Sequence, residues 1–394
     1  MSWKNRSVMK EKASFIKMWQ SGLYIFSSLC KSYGISRTTG YYIVRQYKIY
    51  GEEIFEGRSK RPNNIPHRTS KKIEESIKTL RKKHGTWGAR KIKKLLEADY
   101  PQKEIPSETT INAVLKRNHL IKKRRRRSGK SEKLNPKFDP VRCNEIWSSD
   151  YKGKFKIGNG RYCSPLTVCD SKSRKILGIK CHYKATYRSV RQAYIAVFRE
   201  HGQPEYLHTD NGSPFGSIQA VRRFSRLCYW LVDHGVRPVF SDPGCPQQNG
   251  RHERMHRDLK SYCKTRIRHT LSKQQLVMDE FREEYNEIRP HESLGLIAPN
   301  RVHEKSKRAF KEKVIPYDYP LEHKILKVTK NGSIRWGAYH WIYISRAAIK
   351  RYVGVEELGN GIWKVYYRGV LLGYFDEKEL SYKQQYLKLT KIKV

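Results

Sequence analysis

The sequence predicts a multidomain chain in which two all-α units precede an α/β core and a small β domain follows it. Three observations lead to this arrangement. At 394 residues the chain exceeds the usual size of one domain. The periodicity of its apolar residues changes from helical to strand-like near Glu145. After about residue 320 it changes again, to short strands separated by turns.

The net charge favours a polyanionic partner. The 82 Lys and Arg outnumber the 37 Asp and Glu, which leaves a formal net charge of +45 and points to nucleic acid. A membrane surface is the competing partner, but no run approaches the ~20 apolar residues of a spanning helix, and the start MSWKNRSVMKEK lacks an apolar signal region. We expect a soluble nucleic-acid-binding protein of the cytoplasm or nucleoid, without membrane contact.

The eight cysteines are scattered along the chain, with no C-x-x-C pair. Structural zinc is therefore not expected. Reduced, buried thiols are the simpler interpretation.

The first 50 residues are predicted to form a helix-turn-helix domain. Apolar spacing indicates helices over residues 10–21, 25–33 and 37–47, with a tight turn at 34–36. Ser36 is placed to cap the third helix. That helix carries side chains of the types that reach phosphates and base edges: Arg37, Thr38, Thr39, Tyr42, Arg45 and Gln46. A three-helix bundle without DNA contact is the alternative.

A basic linker at 51–69, rich in glycine and proline, separates this domain from a second helix-turn-helix-like domain at 70–121. The second domain is predicted to contain helices over 71–83, 89–98 and 108–118, the last capped by Ser107. A bundle without DNA contact is again the alternative. Another basic linker, 122–140, opens with six consecutive cations expected to lie along a phosphate backbone: Lys122, Lys123, Arg124, Arg125, Arg126 and Arg127.

The central region, 141–305, has the element order of a ribonuclease-H-like α/β fold. Three strands over 146–155, 162–169 and 175–181 predict an antiparallel meander. Alternating elements follow: a helix over 187–200, a strand over 205–209, a helix around 218–230 and a strand over 236–240. Two more helices are expected near 248–264 and 272–285. In the last domain, 320–394, strands over 324–329, 333–337, 341–344 and 362–367 predict a small β-barrel. A structural role and a DNA contact are equally open for it.

Three carboxylates in the central region have surroundings that favour metal binding. Asp150 lies inside the first predicted strand, where a charge is costly unless it is paired or binds a metal ion. Asp210 ends the fourth strand, at the carboxyl edge where α/β sheets place their sites. Glu253 stands one turn into a helix. Together they predict an oxygen-ligand cluster suited to Mg²⁺ or Mn²⁺, although a salt bridge or a helix cap would explain each acid taken singly.

Other polar residues flank these acids. Arg257 and Lys260 follow Glu253 by four and seven residues, so they share its helix face and could meet substrate phosphates. Near the same motifs stand His208, His252, Arg289 and His291. Each could orient the substrate or simply be a hydrogen-bonded structural residue.

The motifs WSSD, HTDNG, PQQNGRHER and YNEIRPHESLGLIAP, in this order, resemble those of bacterial insertion-sequence transposases with a retroviral-integrase-like core. GISRTTGYYIVRQY, HGTWGARKIKKLL and KNGSIRWG resemble the same family. The resemblance implies a DDE transposase in which Asp150 bridges two Mg²⁺ or Mn²⁺ ions, while Asp210 and Glu253 each complete one. It implies cleavage of element ends and their joining to target DNA by at least a dimer. A catalytically inactive DNA-binding regulator and a ribonuclease-H-fold nuclease are the alternatives.

One departure from the family pattern concerns spacing. Between Asp210 and Glu253 lie 42 residues, more than the family name D,D-35-E describes. We attribute the excess to extra length around the helix at 216–231. Glu253 is preferred because it stands in the NG-x-x-E context, but Asp233 and Asp242 lie closer to the nominal spacing and remain alternatives.

Overall fold

The computed structural model describes residues 8–55, 69–102, 104–121, 139–216, 224–242, 245–314, 316–381 and 384–390. The chain divides into two compact units, Met1–Ser70 and Lys71–Val394. Within the described residues, none of the helices combines the length and the apolar composition that crossing a bilayer requires.

The first unit contains the three predicted helices, α1 (Val8–Gln20), α2 (Phe26–Ser32) and α3 (Arg37–Tyr50). They enclose a small core that includes Phe15, Leu29 and Ile43. As predicted, the Ser36 hydroxyl caps α3 by accepting from the Thr39 backbone N–H at 3.1 Å. The predicted linker is wrong at its start. Residues 51–55 form a 3₁₀ turn, because Ile54 and Phe55 pack against the same core.

The second unit begins with α4 (Lys71–Lys83), α5 (Ala89–Asp99) and α6 (Glu108–Arg117), which pack around a core containing Ile77, Ile92 and Ile111. The predicted cap of α6 is present, since the Ser107 hydroxyl accepts from the Thr110 N–H at 3.3 Å. The remainder of the first linker, 56–68, and the cationic run 122–127 lie outside the described residues.

A mixed six-stranded sheet forms the centre of the second unit. Its strands run in the order β2-β3-β1-β5-β6, with β4 also paired to β3. Their bounds are β1 (Ile146–Tyr151), β2 (Phe155–Lys156), β3 (Tyr162–Asp170), β4 (Ile176–His182), β5 (Tyr206–Thr209) and β6 (Arg237–Phe240). β1, β3 and β4 form the predicted antiparallel meander, and β5 pairs in parallel with both β1 and β6. The single strand predicted over 146–155 is wrong, because the chain leaves β1 after Tyr151 and passes through Gly153 at φ +93°.

Two layers of helices cover this sheet. α7 (Tyr187–His201) and α8 (Arg226–Asp233) share a core with one face, whereas α9 (Gly250–Cys263) and α10 (Leu271–Glu283) share a core with the other. Because both faces are covered, β3 is buried at every position after its first. α8 is shorter than predicted and begins at Arg226, after the capping Ser225, and residues 217–223 lie outside the description.

The described residues of the C-terminal region include seven strands in two sheets. Their bounds are β7 (Lys324–Lys327), β8 (Ser333–Trp336), β9 (His340–Tyr343), β10 (Tyr352–Gly359), β11 (Ile362–Tyr367), β12 (Val370–Asp376) and β13 (Tyr386–Lys388). The predicted barrel is not confirmed. In the described part of the chain, β12-β11-β10-β7 and β13-β9-β8 form separate ladders that do not close. The two sheets meet through side chains instead, with Ile334 and Ile342 packed in one core with Val353 and Val365.

α8 belongs to two cores at once. Leu227, Trp230 and Leu231 pack with the central sheet and α7. Cys228, Tyr229 and Val232, on the other side of the helix, pack with the C-terminal sheets. This helix therefore joins the C-terminal region to the central α/β layers.

The three-helix bundle α4–α6 is also docked on the central layers. In the loop after α4, His84 and Trp87 are buried and stack with ring centroids 3.9 Å apart. The His84 Nδ1 lies 2.7 Å from the Glu284 carboxylate, in the turn that follows α10. Nearby, burial together with the charge of Arg289 lowers the pKa of Lys91 to about 8. Part of this basic bundle thus faces protein rather than solvent.

Candidate active site

The strand register brings Asp150 and Asp210 to the same edge of the sheet. β1 and β5 are parallel, with Ser148 opposite His208. Continuing this register by two residues places Asp150 opposite Asp210, which follows the last residue of β5. Because side chains alternate along strands, both carboxylates lie on the face that also carries Ser148.

Glu253 reaches this edge from α9. It lies in the first turn of the helix and is solvent-exposed. Its negative charge acts on Asp150, as does that of Asp210. The structure therefore places the three sequence-predicted carboxylates close enough for the charges of Asp210 and Glu253 to act on Asp150. The ligand atoms of these three acids do not all lie within 4.8 Å of one another. Among the described residues, the group of possible metal ligands that meets this distance is Cys143, Asp170 and His303.

Asp150 and Asp210 are partly withdrawn from water, and the charges of Asp210 and Glu253 act against that of Asp150. Burial, reinforced by the charges of Asp210 and Glu253, raises the pKa of Asp150 to about 7. Burial also raises the pKa of Asp210, although the Gly212 N–H donates to it at 3.2 Å. Within the described residues, no lysine or arginine pairs with either carboxylate. A divalent cation would supply the missing positive charge.

A buried polar network fastens α9 to the sheet. His252 lies between two hydroxyls, with Nδ1 2.9 Å from the Ser148 Oγ and Nε2 2.6 Å from the Thr167 Oγ1. The next turn of α9 adds His256, whose Nε2 lies 2.7 Å from the same Thr167 oxygen. Burial lowers the pKa of His252 well below its usual value, so the ring is neutral. These contacts fix the depth at which α9 holds Glu253 over the sheet.

The two acids that competed with Glu253 have other partners. Asp233 binds the C-terminal region through the Arg351 guanidinium at 2.8 Å and through the Tyr367 hydroxyl. Asp242 forms a reciprocal pair with Gln248, which accepts from its backbone N–H at 2.8 Å and donates to its carboxylate at 2.7 Å. Neither acid is among the charges that raise the pKa of Asp150.

Asp170 is a second carboxylate of this sheet, at the end of β3, and it is 1% exposed. It accepts from the backbone N–H groups of Asn144 at 3.0 Å and Ser173 at 2.8 Å, and from the Ser173 hydroxyl at 2.5 Å. Burial by itself would raise the pKa of Asp170. Hydrogen bonds from His303, Ser173 and Asn144 outweigh this effect, so the pKa of Asp170 lies below its ordinary value.

The remaining predicted residues fall into two groups. Arg257 and Lys260 are exposed on α9. The residues chosen on α3 are also solvent-accessible, Gln46 in part and the others largely: Arg37, Thr38, Thr39, Tyr42 and Arg45. The predicted cationic run Lys122–Arg127 lies outside the described residues.

The polar residues predicted to flank the carboxylates, His208, Arg289 and His291, have contacts within the fold. The His208 Nε2 contacts the Ser241 hydroxyl at 3.0 Å. Arg289 is buried and paired with Asp258 of α9, and burial lowers the pKa of His291 to about 3. Sequence reasoning missed His256 and Thr167. The four-residue step from His252 to His256 could have indicated one helix face, but the pairing of Thr167 with Asp150 depends on the strand register.

Two family models match the region that carries this site. Both are described as integrase core domain, and they match residues 140–246 and 234–299. The chain contains an integrase core domain. The matches cover about two fifths of the chain and include all three predicted carboxylates.

Relatives of the chain occur in insertion elements. The insertion element IS476 uncharacterized 39.2 kDa protein of Xanthomonas euvesicatoria is 27% identical over 247 residues, which is 60% of this chain and 65% of that protein. The insertion element IS407 uncharacterized 31.7 kDa protein of Burkholderia multivorans is 28% identical over 181 residues, 46% of this chain and 62% of that protein. The chain thus spans a little under two thirds of each relative. These matches confirm the resemblance to insertion-sequence transposases with an integrase-like core.

Among solved structures, the HTLV-2 integrase catalytic core domain in complex with magnesium aligns over 42% of this chain and 100% of that chain. The two are 15% identical, with a TM-score of 0.34.

Proposed function

We propose that this chain is a DNA transposase that binds the ends of an insertion sequence and catalyses metal-dependent DNA cleavage and strand transfer. The observation that carries the proposal is the convergence of Asp150, Asp210 and Glu253 on one edge of the integrase core. The match to an integrase core domain favours a polynucleotidyl transferase. The insertion-element relatives favour transposition as the process it serves.

The donor set fits divalent cations of the Mg²⁺ and Mn²⁺ type, because three carboxylates that pair with no lysine or arginine among the described residues offer hard oxygen ligands. In this proposal Asp150 would hold both ions, and Asp210 and Glu253 would each hold one. Two such ions would supply an activated nucleophile, charge neutralisation at phosphorus and a stabilised leaving oxygen. No side-chain nucleophile is needed.

The cationic residues of the chain would position the DNA. Arg257 and Lys260 stand on the same helix as Glu253 and are exposed, so they can meet phosphates beside the carboxylates. The exposed face of α3 would contact the element end. Both ends of an element have to be processed together, which requires at least two copies of the chain. A cytoplasmic, nucleoid-associated location follows from this role.

A strand-transfer assay tests the proposal. The purified chain would be incubated with labelled element ends, a target plasmid and Mg²⁺ or Mn²⁺. We expect cleaved ends and joined products that require the metal ion and disappear with Asp150→Asn. Cleavage without joining would indicate a nuclease, and specific binding without either product would indicate a regulator. Both results would overturn the proposal.

The DNA-binding part of the proposal can be tested in the full chain with Arg45→Ala. If Arg45 reads a base, discrimination between element-end and random DNA should weaken by about 1–3 kcal/mol. If Arg45 contacts phosphate, both affinities should fall equally. Lys17→Ala is the matched control, since Lys17 is an exposed cation on α1. Unchanged affinity for both DNAs in Arg45→Ala would remove α3 from the proposed interface.

A further inference from the structure

The Thr167 hydroxyl lies at the centre of three polar contacts. It donates to the Asp150 backbone carbonyl at 2.9 Å. Its oxygen lies 2.6 Å from the His252 Nε2 and 2.7 Å from the His256 Nε2. All three distances are hydrogen-bond distances, so one hydroxyl serves three partners at once.

The donor inventory of a hydroxyl fixes the protonation of both imidazoles. A threonine hydroxyl has one hydrogen to donate and two lone pairs to accept with. Since the Asp150 carbonyl can only accept, the single hydrogen of Thr167 is committed to it. The Nε2 atoms of His252 and His256 must therefore both be donors, and each ring carries its proton on Nε2.

This tautomer leaves the Nδ1 of His256 with a free lone pair on the side of the carboxylates. That atom lies 3.8 Å from the Asp150 Oδ2, which also faces the Asn249 Nδ2 at 3.5 Å. A nitrogen lone pair and a carboxylate oxygen thus face each other at a distance too long for a hydrogen bond.

The separation suits two ligands of one cation. With metal–ligand bonds of about 2.1 Å, adjacent ligands of an octahedral ion are about 3.0 Å apart and opposite ligands about 4.2 Å apart. The observed 3.8 Å lies between these limits.

We propose that the His256 Nδ1 is a further metal ligand, which joins Asp150 in holding one of the divalent cations. The inference rests on the proposed function, because it assumes that a cation binds at Asp150. Thr167 then acts as the positioning residue that fixes the tautomer through the opposite ring nitrogen. A nitrogen ligand favours Mn²⁺ and later transition metals over Mg²⁺.

Pulsed electron paramagnetic resonance of the full chain with Mn²⁺ alone tests the assignment without DNA or activity. We expect a ¹⁴N coupling from a coordinated imidazole. The coupling should change to the ¹⁵N pattern when the wild-type chain is labelled with ¹⁵N-histidine, a comparison that requires no variant to fold. It should disappear in His256→Asn. Absence of the coupling, or its survival in His256→Asn, would overturn the assignment.

Calorimetric titration gives a second readout. His256→Asn should weaken Mn²⁺ binding by about tenfold or more and Mg²⁺ binding by less, because only the nitrogen preference is lost. His269→Asn is the matched control, since His269 is an exposed histidine, and its affinities should equal those of the wild type. Equal losses for Mn²⁺ and Mg²⁺ in His256→Asn would count against a nitrogen ligand.

Asp150→Asn separates this inference from the proposed function. If Mn²⁺ binding depends on Asp150 but shows no histidine coupling, the three-carboxylate site stands and the role of His256 is wrong. If Mn²⁺ binding is unaffected by Asp150→Asn, the proposed metal site itself is wrong, and the inference falls with it.

Discussion

Asp150 and Asp170 stand on neighbouring strands of the same sheet, yet their surroundings have opposite effects. The Asp170 side chain is more deeply buried, at 0% exposure, but it accepts from two backbone N–H groups and a hydroxyl, and its pKa is lowered. The Asp150 side chain is 21% exposed, faces two other carboxylates and has a raised pKa. The hydrogen-bond donors, rather than the depth of burial, decide which charge is stable.

This difference separates a structural carboxylate from a candidate ligand. Asp170 has its partners in the apo chain, so its charge contributes to the stability of the fold. Among the described residues no lysine or arginine pairs with Asp150, so its charge costs stability until a cation binds. The same residue type thus serves two purposes within one sheet.

The largest effect is expected from the carboxylates of the site. Asp150→Asn, Asp210→Asn and Glu253→Gln should each reduce strand transfer by about a thousandfold or more, because each removes a ligand of a catalytic cation. The melting temperature of the metal-free variants should equal or exceed that of the wild type, since mutual repulsion is relieved. A variant that unfolds at lower temperature would contradict the assignment of these acids as ligands rather than fold-stabilising groups.

Asp170→Asn should show the reverse pattern. Its amide nitrogen would meet groups that also donate, so we expect a loss of about 3 kcal/mol in the free energy of unfolding. Chemical denaturation measures this loss. Ser173→Ala, which removes only the side-chain donor, is the control and should cost about 1 kcal/mol. If Asp170→Asn is as stable as the wild type, the contrast between the two aspartates fails.

The pH dependence of stability gives a third test. Because the folded pKa of Asp150 is raised above its unfolded value, its favourable contribution is present below about pH 4 and is lost as the pH rises towards 7. Allowing for its partial exposure, the metal-free wild type should lose about 2 kcal/mol relative to Asp150→Asn across this range. Denaturation at several pH values, with Mg²⁺ as a comparison, measures the difference. Parallel curves for the two proteins would show that the pKa of Asp150 is not raised.

The smallest effect is expected at Asp242. Its partner is a glutamine on the surface, so Asp242→Asn should change the free energy of unfolding by at most about 0.5 kcal/mol and leave strand transfer intact. The comparison with Glu253→Gln in the same assay decides the third ligand. An inactive Asp242→Asn beside an active Glu253→Gln would reverse the assignment.

Local signals in the sequence predicted much of the fold. The caps Ser36 and Ser107 and the meander of β1, β3 and β4 follow from residue types and spacing, and the observed elements agree. The short C-terminal strands were only partly predicted. β10, β12 and β13 were missed, and the barrel was assumed, because the pairing of strands depends on contacts between distant residues.

The candidate site was likewise predictable from the sequence only where local signals sufficed. Asp150, Asp210 and Glu253 could be chosen from motifs, since each stands beside a strand end or a helix start. The partners of His252 and His256 could not. They depend on the register that places Thr167 opposite Asp150, and no local pattern specifies which hydroxyl a histidine will meet across a helix–sheet interface.

The two-sided burial of α8 has a consequence for how the protein unfolds. α8 supplies apolar side chains to two neighbouring cores. If either core unfolds, the side chains of α8 that packed in it become exposed, and the other core is disturbed as well. The C-terminal sheets and the integrase core should therefore unfold in a single cooperative transition, with no stable intermediate that retains only one of them. Truncation near residue 320 would uncover the outward face of α8, so a shortened chain would gain an aggregation-prone surface instead of becoming a minimal catalytic domain.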